Sequence, residues 1–315
     1  MKVLVVGLGS MGKRRIRCLQ ELGIERIVGT DIRLERRAEV ESILGVRTAP
    51  SMLEVLNEAP DVAMICTPPD LHLIQALTAA MEGVPVFTEA DIFPMEVPNG
   101  YPSCTMRYFA GPRKVKELVE SGAVGRPLSF VYHVGQWLPD WHPHEDYRKF
   151  YVSKRETGAC REIVPFELCW LTWLFGDVTS VMAYKGKLSD LDADIDDTYQ
   201  LLLEFGSGVH GVLQVDVVAR PGLRNFNLIG SESSLFWNDN ESTVEVYRNE
   251  EYGWDSYSPG YDKESFYVEE TRDFLLAVQG KKLWSYSYHD ERKVLQVLMA
   301  AERSHEEGKR IRLEY

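Results

Sequence analysis

The chain has 315 residues, 44% of them hydrophobic, enough to build the cores of two domains of ordinary size. A formal charge of −13 argues against a nucleic-acid-binding surface, and no apolar stretch reaches the roughly 18–20 residues that a membrane span needs. Five cysteines, odd in number and without a Cys-x-x-Cys pair, read as reduced thiols of a cytoplasmic protein.

The opening MKVLVVGLGSMG fits a buried strand running into a turn better than a signal peptide. Residues 2–6 predict that strand. In the turn, Gly7 allows the tight reversal, Gly9 lets a pyrophosphate approach the backbone, and Gly12 lets the next helix pack on the strand. The helix, over about 11–22, would offer the N–H groups of Ser10 and Met11 to phosphate. A second strand, 26–29, delivers Asp31, nineteen residues after Gly12, where an acid accepts the ribose hydroxyls of NAD. Arg33, with Arg36 and Arg37, leaves NADP open as a second cofactor.

The pattern alternates from there: helix over 37–44, extended chain at 46–48, helix over 52–57, buried strand at 62–66, helix to about 82, then VPVF at 84–87. Strict alternation predicts a doubly wound parallel sheet. Thr67 and Pro68 lie at a strand's carboxyl end, where the turn would pass under the nicotinamide ribose. His72 reads equally as a first-turn helix residue or a cofactor contact.

With the segments GLGSMGKRRIRCL, DVAMICTPPDLH, VPVFTEA, SCTMRYFAGPRKVKELVESGAVGRPLSF and VLMAAERSHEEGKRIRL, the chain resembles the glucose–fructose oxidoreductase and inositol dehydrogenase (Gfo/Idh/MocA) family along nearly its whole length. The resemblance implies α/β architecture: an N-terminal Rossmann-type domain, then a domain with a large open, mostly antiparallel sheet. It also implies hydride transfer with sugars, cyclitols or their derivatives. The boundaries expected are 1–108 for NAD(P) binding and 109–315 for substrate binding and oligomerisation.

Two departures from the family pattern stand out. After the VPVF strand the family has Glu-Lys-Pro, whose lysine helps move the alcohol proton; this chain has Glu89-Ala90-Asp91, of which Glu89 is assigned to the cofactor. Residues 92–102, with Pro94, Pro98, Pro102 and Asn99-Gly100, exclude the helix that would normally follow. The family also shows a Gly-rich turn, an Asp and, four residues later, a His; alignment back from WLFG puts Glu162 and Phe166 at those positions.

Replacements are sought in 133–168, after a period-2 strand over 128–134. His142, His144, Tyr147 and Glu162 are the candidate proton carriers. Trp141 offers a flat face for a sugar ring, or simply packs. Arg148, Arg161 and, further upstream, Arg107 are candidate substrate ligands; an arginine grips a carboxylate or phosphate at two points. Glu162 also reads as a helix-end carboxylate before a helix starting at Pro165. His142-x-His144 with Glu145 and Asp146 contains metal-ligand residue types, but no second spaced cluster accompanies them and no metal is expected.

Downstream, strands are expected at 178–184, 198–205, 209–218, 224–229, 235–237 and 243–247, and helices at 274–278 and 294–301. The acids between 190 and 197 read as a solvated loop, and 252–267 as loop. The open sheet would pair with another copy, giving a homodimer or homotetramer. The expected function is NAD(P)-dependent oxidation at a CH–OH group of a sugar derivative, phosphorylated or nucleotide-activated forms included. The alternatives are a non-catalytic nucleotide-binding regulator, or an enzyme that retains NAD through a redox-neutral reaction.

Overall fold

Lys2–Val6 (β1) is buried along its whole length, as a strand covered on both faces requires. After it come α1 (Ser10–Glu21), β2 (Arg26–Thr30), α2 (Leu34–Leu44), β3 (Arg47–Ala49), α3 (Met52–Leu56), β4 (Val62–Ile65), α4 (His72–Met81), β5 (Val86–Thr88) and β6 (Gly100–Pro102). The six strands are all parallel, in the order β3-β2-β1-β4-β5-β6. This is a doubly wound sheet whose strand order reverses beside β1, and ligands of such sheets bind at the carboxyl ends of the strands there.

No helix lies between β5 and β6. The loop instead drives Met95 and Val97 into the core on one face of the sheet, against Ala79, Val86 and Tyr288. β6 was not anticipated: it is three residues long, and Pro102 is tolerated because the strand is an edge.

The computed structural model describes residues 1–143, 146–248, 252–260 and 264–315, in two units. The first is Met1–Tyr108 plus a later segment ending at Arg292; the second runs on from Phe109 and also takes Lys293–Tyr315. The expected assignment of everything after 108 to the second domain is therefore corrected. A helix, Ser265–Val278, and the first turn of another, Tyr288–Glu307, belong to the first unit. Phe274 and Trp284 pack on Phe87 and Tyr101 there, filling a face of the parallel sheet that its own helices leave bare.

The second unit contains α5 (Ala110–Glu120), β7 (Pro127–Gly135), α6 (Ala159–Phe175), β8 (Val178–Gly186), β9 (Thr198–Phe205), β10 (His210–Asp216), β11 (Leu223–Gly230), β12 (Ser234–Asn238), β13 (Thr243–Arg248) and β14 (Gly253–Tyr257). The helices named above are α7 and α8, and β15 (Ile311–Arg312) closes the chain. These nine strands form one sheet, β14-β13-β12-β11-β7-β10-β9-β8-β15, in which the β7–β10 pair is parallel and the others antiparallel. Alternation along β7 buries Phe130, Tyr132 and Val134 and turns Val131 outward. The buried rings meet Trp170 and Phe175 of α6 and Phe226 and Trp237 of the sheet.

Two expectations change here. The run 252–267 is not all loop, since it contains β14 and the start of α7. α6 begins at Ala159, after Gly158, rather than at Pro165, which lies inside the helix. Pro165 removes one backbone donor, but Val164, Leu168 and Leu171 are buried around it, and tertiary packing holds the helix through the defect.

Candidate active site

The glycine turn after β1 has the geometry of a nucleotide cradle. Gly7 has φ +88°, and a Cβ there would stand 2.8 Å from the Thr67 methyl. At Gly12 a Cβ would lie 1.8 Å from the Gly7 carbonyl oxygen, so helix and strand touch through that residue. Gly9 differs, because a Cβ there would meet nothing closer than Arg36 at 3.5 Å. The protein's own packing does not demand that glycine, and a pyrophosphate approaching the backbone does. α1 starts immediately afterwards with Ser10, Met11 and Gly12 in its first turn, where N–H groups are free for phosphate.

Asp31, at the end of β2, is fixed by the main chain. Its Oδ2 accepts the Leu8 N–H at 2.9 Å and its Oδ1 the Arg33 N–H at 2.9 Å. Oδ2 also accepts from Arg36 Nη1 at 3.4 Å, while Oδ1 keeps a lone pair for a ribose hydroxyl. Ile32 beside it is 91% exposed, an apolar surface suited to the face of an adenine ring. Thr67 and Pro68 follow β4, partly exposed, with the Thr67 hydroxyl donating to Gln75 Oε1 at 2.6 Å.

Behind the cradle lies a buried charge network with one member, Glu89, read from the sequence. Arg15 of α1 is fully buried and grips Glu89 at two points, Nε to Oε1 at 2.6 Å and Nη2 to Oε2 at 3.1 Å. Its Nη2 also reaches Glu270 of α7 at 2.7 Å, and the guanidinium stacks on Phe87, 4.6 Å from the ring centre. Glu270, with no exposure, further accepts from Ser103 Oγ, the Cys104 N–H and Thr105 Oγ1. Glu89 therefore ends β5 as an anchored carboxylate.

His72 is corrected as a cofactor contact. It is 1% exposed, and both ring nitrogens are spent inside the protein: Nε2 donates to the Thr67 carbonyl at 2.8 Å, and Nδ1 lies 2.7 Å from Asp91 Oδ1. Burial opposes charge on the ring, but the Asp91 carboxylate more than offsets this and raises its pKa above the usual value. The pair staples the turn after β4 to the loop after β5. Glu291, in the first turn of α8, is buried beside Asp91, and desolvation together with that charge pushes its carboxyl well above the ordinary range.

In the second unit the sequence candidates separate. Glu162 is in the first turn of α6, partly exposed, and its Oε1 accepts the Tyr151 hydroxyl at 3.0 Å. Arg161 is corrected as a substrate clamp: its Nε and Nη2 bind Glu302 at 2.7 and 3.4 Å, and Nη1 the Glu156 carbonyl. Arg148 is likewise occupied, by Asp146 and by Asp192 at 3.2 Å, and the Tyr147 hydroxyl accepts the Asp192 N–H. His142 is exposed near Phe150, Trp141 is partly buried with no hydrogen bond at Nε1 among the described residues, and His144 lies outside them. Arg107, in the first unit, donates to the Ser285 carbonyl at 2.6 Å and stacks on Tyr286, so its expected role on substrate is replaced by a tether.

The acids at 190–197 are not simply solvated. Asp192, Asp194 and Asp196 meet Arg148, Arg155 and Lys185, while buried Asp197 caps Leu188 and Ser189. Each of these arginines lies about forty residues upstream of its acid, so no local pattern announces the pairing.

Comparison with known proteins accounts for both units. The description "Oxidoreductase family, NAD-binding Rossmann fold" matches residues 1–94, and "GFO/IDH/MocA C-terminal domain" matches 113–236. The chain belongs to the Gfo/Idh/MocA oxidoreductase family. Among curated Gfo/Idh/MocA relatives, inositol 2-dehydrogenase 3 of Saccharopolyspora erythraea is 27% identical over 70% of this chain and 68% of its own. Myo-inositol 2-dehydrogenase of Thermotoga maritima is 25% identical over 100% and 99%. The fold is shared with levoglucosan dehydrogenase in complex with NADH, at TM-score 0.87, 18% identity and coverage of 100% and 99%. An Agrobacterium radiobacter oxidoreductase solved with NAD+, L-tartaric acid and magnesium aligns at TM-score 0.84, 16% identity and coverage of 99% and 98%. This Gfo/Idh/MocA protein is thus an oxidoreductase with an NAD-binding Rossmann domain.

Sequence reasoning missed Arg15 and Glu270. Arg15 was legible in principle, since it falls three residues after Gly12 and four before Leu19, on the packed face of α1. Glu270 carries no local signal. Glu167, buried in α6 between the Tyr132 hydroxyl at 2.6 Å and Arg224 at 2.7 Å, was missed for the same reason.

Proposed function

We propose that this protein oxidises a secondary hydroxyl of a sugar- or cyclitol-like polyol with NAD, and that Glu162 is the proton acceptor. The observation carrying the reading is the Glu162–Tyr151 pair: a partly exposed carboxylate with a phenol at 3.0 Å on the first turn of α6. It offers acid–base groups where the residues at 90 and 166 are Ala and Phe. The curated relatives are dehydrogenases of inositol, which supports a polyol substrate.

Gly7, Gly9, Gly12 and Asp31 would hold the nucleotide, which supplies a hydride acceptor when bound. Glu162 takes the proton of the substrate hydroxyl at a carboxylate oxygen as the C–H bond gives up its hydride. The Tyr151 hydroxyl orients that carboxylate. Trp141, His142 and Tyr147 remain the proposed walls of the substrate site. Because Arg148 and Arg161 already bind carboxylates, a neutral polyol suits these groups better than a phosphorylated one.

The outward face of the nine-stranded sheet carries Met182, Leu202, Val212 and Val131 as successive neighbours across four strands. We read it as the face that pairs two copies, giving a homodimer or homotetramer, which light scattering tests. The buried free cysteines suit work in the cytoplasm.

The test of the activity is NADH formation by purified protein with a panel of inositols, anhydrosugars and aldoses. Steady NADH production with a neutral polyol is the expected result. Nucleotide binding without turnover on any member would favour a regulatory role instead, and product without net NADH a redox-neutral one.

A further inference from the structure

We propose that a polar cavity between residues 147–153 and the β8–β9 connection is a subsite for a second sugar unit. The substrate it suits is a glycoside or disaccharide rather than a single ring. The inference rests on the polyol reading above and deepens it by naming the substrate class.

The cavity has a volume of about 450 Å³ and is lined by Arg148, Ser153, Lys187, Asp192, Ala193 and Asp194. That lies within the roughly 300–1,000 Å³ of small-molecule sites. Both walls are held by bonds of their own. On one side, Tyr147–Lys149 and Tyr151–Ser153 are single tight turns. The Ser153 hydroxyl donates to the Phe150 carbonyl at 2.8 Å, and the Thr157 hydroxyl to the Tyr151 carbonyl at 2.6 Å. On the other side, Leu191 and Ile195 are buried, and Asp197 caps the start of the connection. Asp192, Ala193 and Asp194 stand between those two anchors and form a fixed rim. The Tyr147 hydroxyl accepts the Asp192 N–H at 3.1 Å and joins the two walls. The same short segment carries Tyr151, whose hydroxyl meets Glu162 at 3.0 Å. Cavity and proposed base therefore share one stretch of chain.

The lining decides the guest. Arg148 and Lys187 balance Asp192 and Asp194, so the cavity gathers neither anions nor cations. Of the lining residues only Ala193 is apolar, so a hydrocarbon guest finds little to cover. Donors and acceptors, by contrast, are both open. Lys187 Nζ donates one hydrogen to the Ala193 carbonyl at 2.8 Å and keeps the others. Asp194 Oδ1 accepts Arg155 Nη2 at 2.6 Å, a bond that holds the carboxyl below its ordinary range and leaves Oδ2 to accept. Asp192 Oδ2 accepts Arg148 at 3.2 Å and leaves Oδ1. A sugar hydroxyl donates once and accepts as well, so neighbouring hydroxyls match an ammonium beside a carboxylate. A phosphate here would face two aspartates, and a free ammonium would face Lys187 and Arg148.

The test compares a two-unit sugar with its own single ring. Maltose against glucose, and galactinol against myo-inositol, are titrated into the full chain by calorimetry with and without NADH. NADH formation is followed with NAD and the same four compounds. In at least one pair the two-unit sugar should bind about tenfold tighter than the single ring. Lys187→Met and Asp192→Asn should each cut that ratio by about five- to tenfold, the scale of one hydrogen bond to a charged group. Lys187→Arg should restore part of it. Equal affinities within both pairs would overturn the proposal, and so would variants that leave the ratio where it stands. Tighter binding of glucosamine or inorganic phosphate than of either two-unit sugar would also overturn it, by putting a charged guest in place of a neutral one. Two-unit binding that answers to Lys187 without any NADH formation would keep the subsite and remove the proposed activity. NADH formation from single rings with no preference between pair members would do the reverse.

Discussion

Two polar regions of this molecule are held in place in opposite ways. Around the glycine turn, Asp31 is bonded by main-chain N–H groups, and Arg15 and Glu270 are wholly buried. Between 146 and 196, Arg148 and Arg155 reach exposed aspartates, side chain to side chain, in water. The first arrangement costs several kcal/mol to disturb, because a buried charge loses its partner; the second costs about 0–1 kcal/mol per pair. The buried network is therefore held rigidly, and the surface pairs between 146 and 196 are contacts cheap to exchange.

The largest effect that would sharpen this contrast concerns Glu162, the proposed base in the second unit. Glu162→Gln should lower turnover by about 10²–10⁴-fold and leave NADH binding intact. Full turnover would make Glu162 a helix-end carboxylate and shift attention to His142 and Tyr147. Arg15→Met comes next. By stranding Glu270 and Glu89 it should cost about 3–5 kcal/mol in denaturant unfolding. A loss below about 1 kcal/mol would mean that water reaches the network.

Glu291→Gln probes the same unit through pH. The Glu291 carboxyl titrates well above its ordinary 4.5, so its contribution to stability is fully present below that value and is lost as pH rises toward the folded pKa. Wild type should lose up to about 1.4 kcal/mol per pH unit through that window relative to the glutamine variant. Melting temperatures of the two proteins that stay parallel from acid to neutral pH would show Glu291 to be ionised in the folded state. The smallest effect belongs to Arg148→Ala and Arg155→Ala, each expected to cost at most about 1 kcal/mol and less in high salt. A loss of several kcal/mol would show that the exposed pairs form a cooperative network.

The same division explains what could be read from the sequence. Gly7, Gly9, Gly12 and Asp31 are a local pattern, set by how close a strand, a helix and a phosphate must come, so their spacing alone is informative. The missing helix between β5 and β6 was equally local, written in prolines. His72 misled because one residue type serves both cofactor and core, and only its distance to Asp91 decides. Arg148, Arg161 and the aspartates at 192–196 misled because long charged side chains choose partners far along the chain, which residue type does not encode. α7 was placed in the wrong unit for the same reason, since nothing in its own composition says which sheet it covers.

The return of α7 to the first unit has a consequence for how the chain is made. Glu270 follows Arg15 by 255 residues, so at about 5–20 residues per second its synthesis trails by tens of seconds. During that interval the nucleotide-binding unit has strands and glycine turn but lacks Phe274, Trp284 and the second counter-charge for its buried arginine. The strands from β7 to β14 are all translated before it is complete, and the rest of α8 and β15, which finish the second unit, come only afterwards. The Rossmann sheet therefore keeps one face uncovered until Phe274 and Trp284 have been made. A chain terminated between Asp31 and Ser265 would carry every residue of the glycine fingerprint and still lack the helix that completes the unit using it.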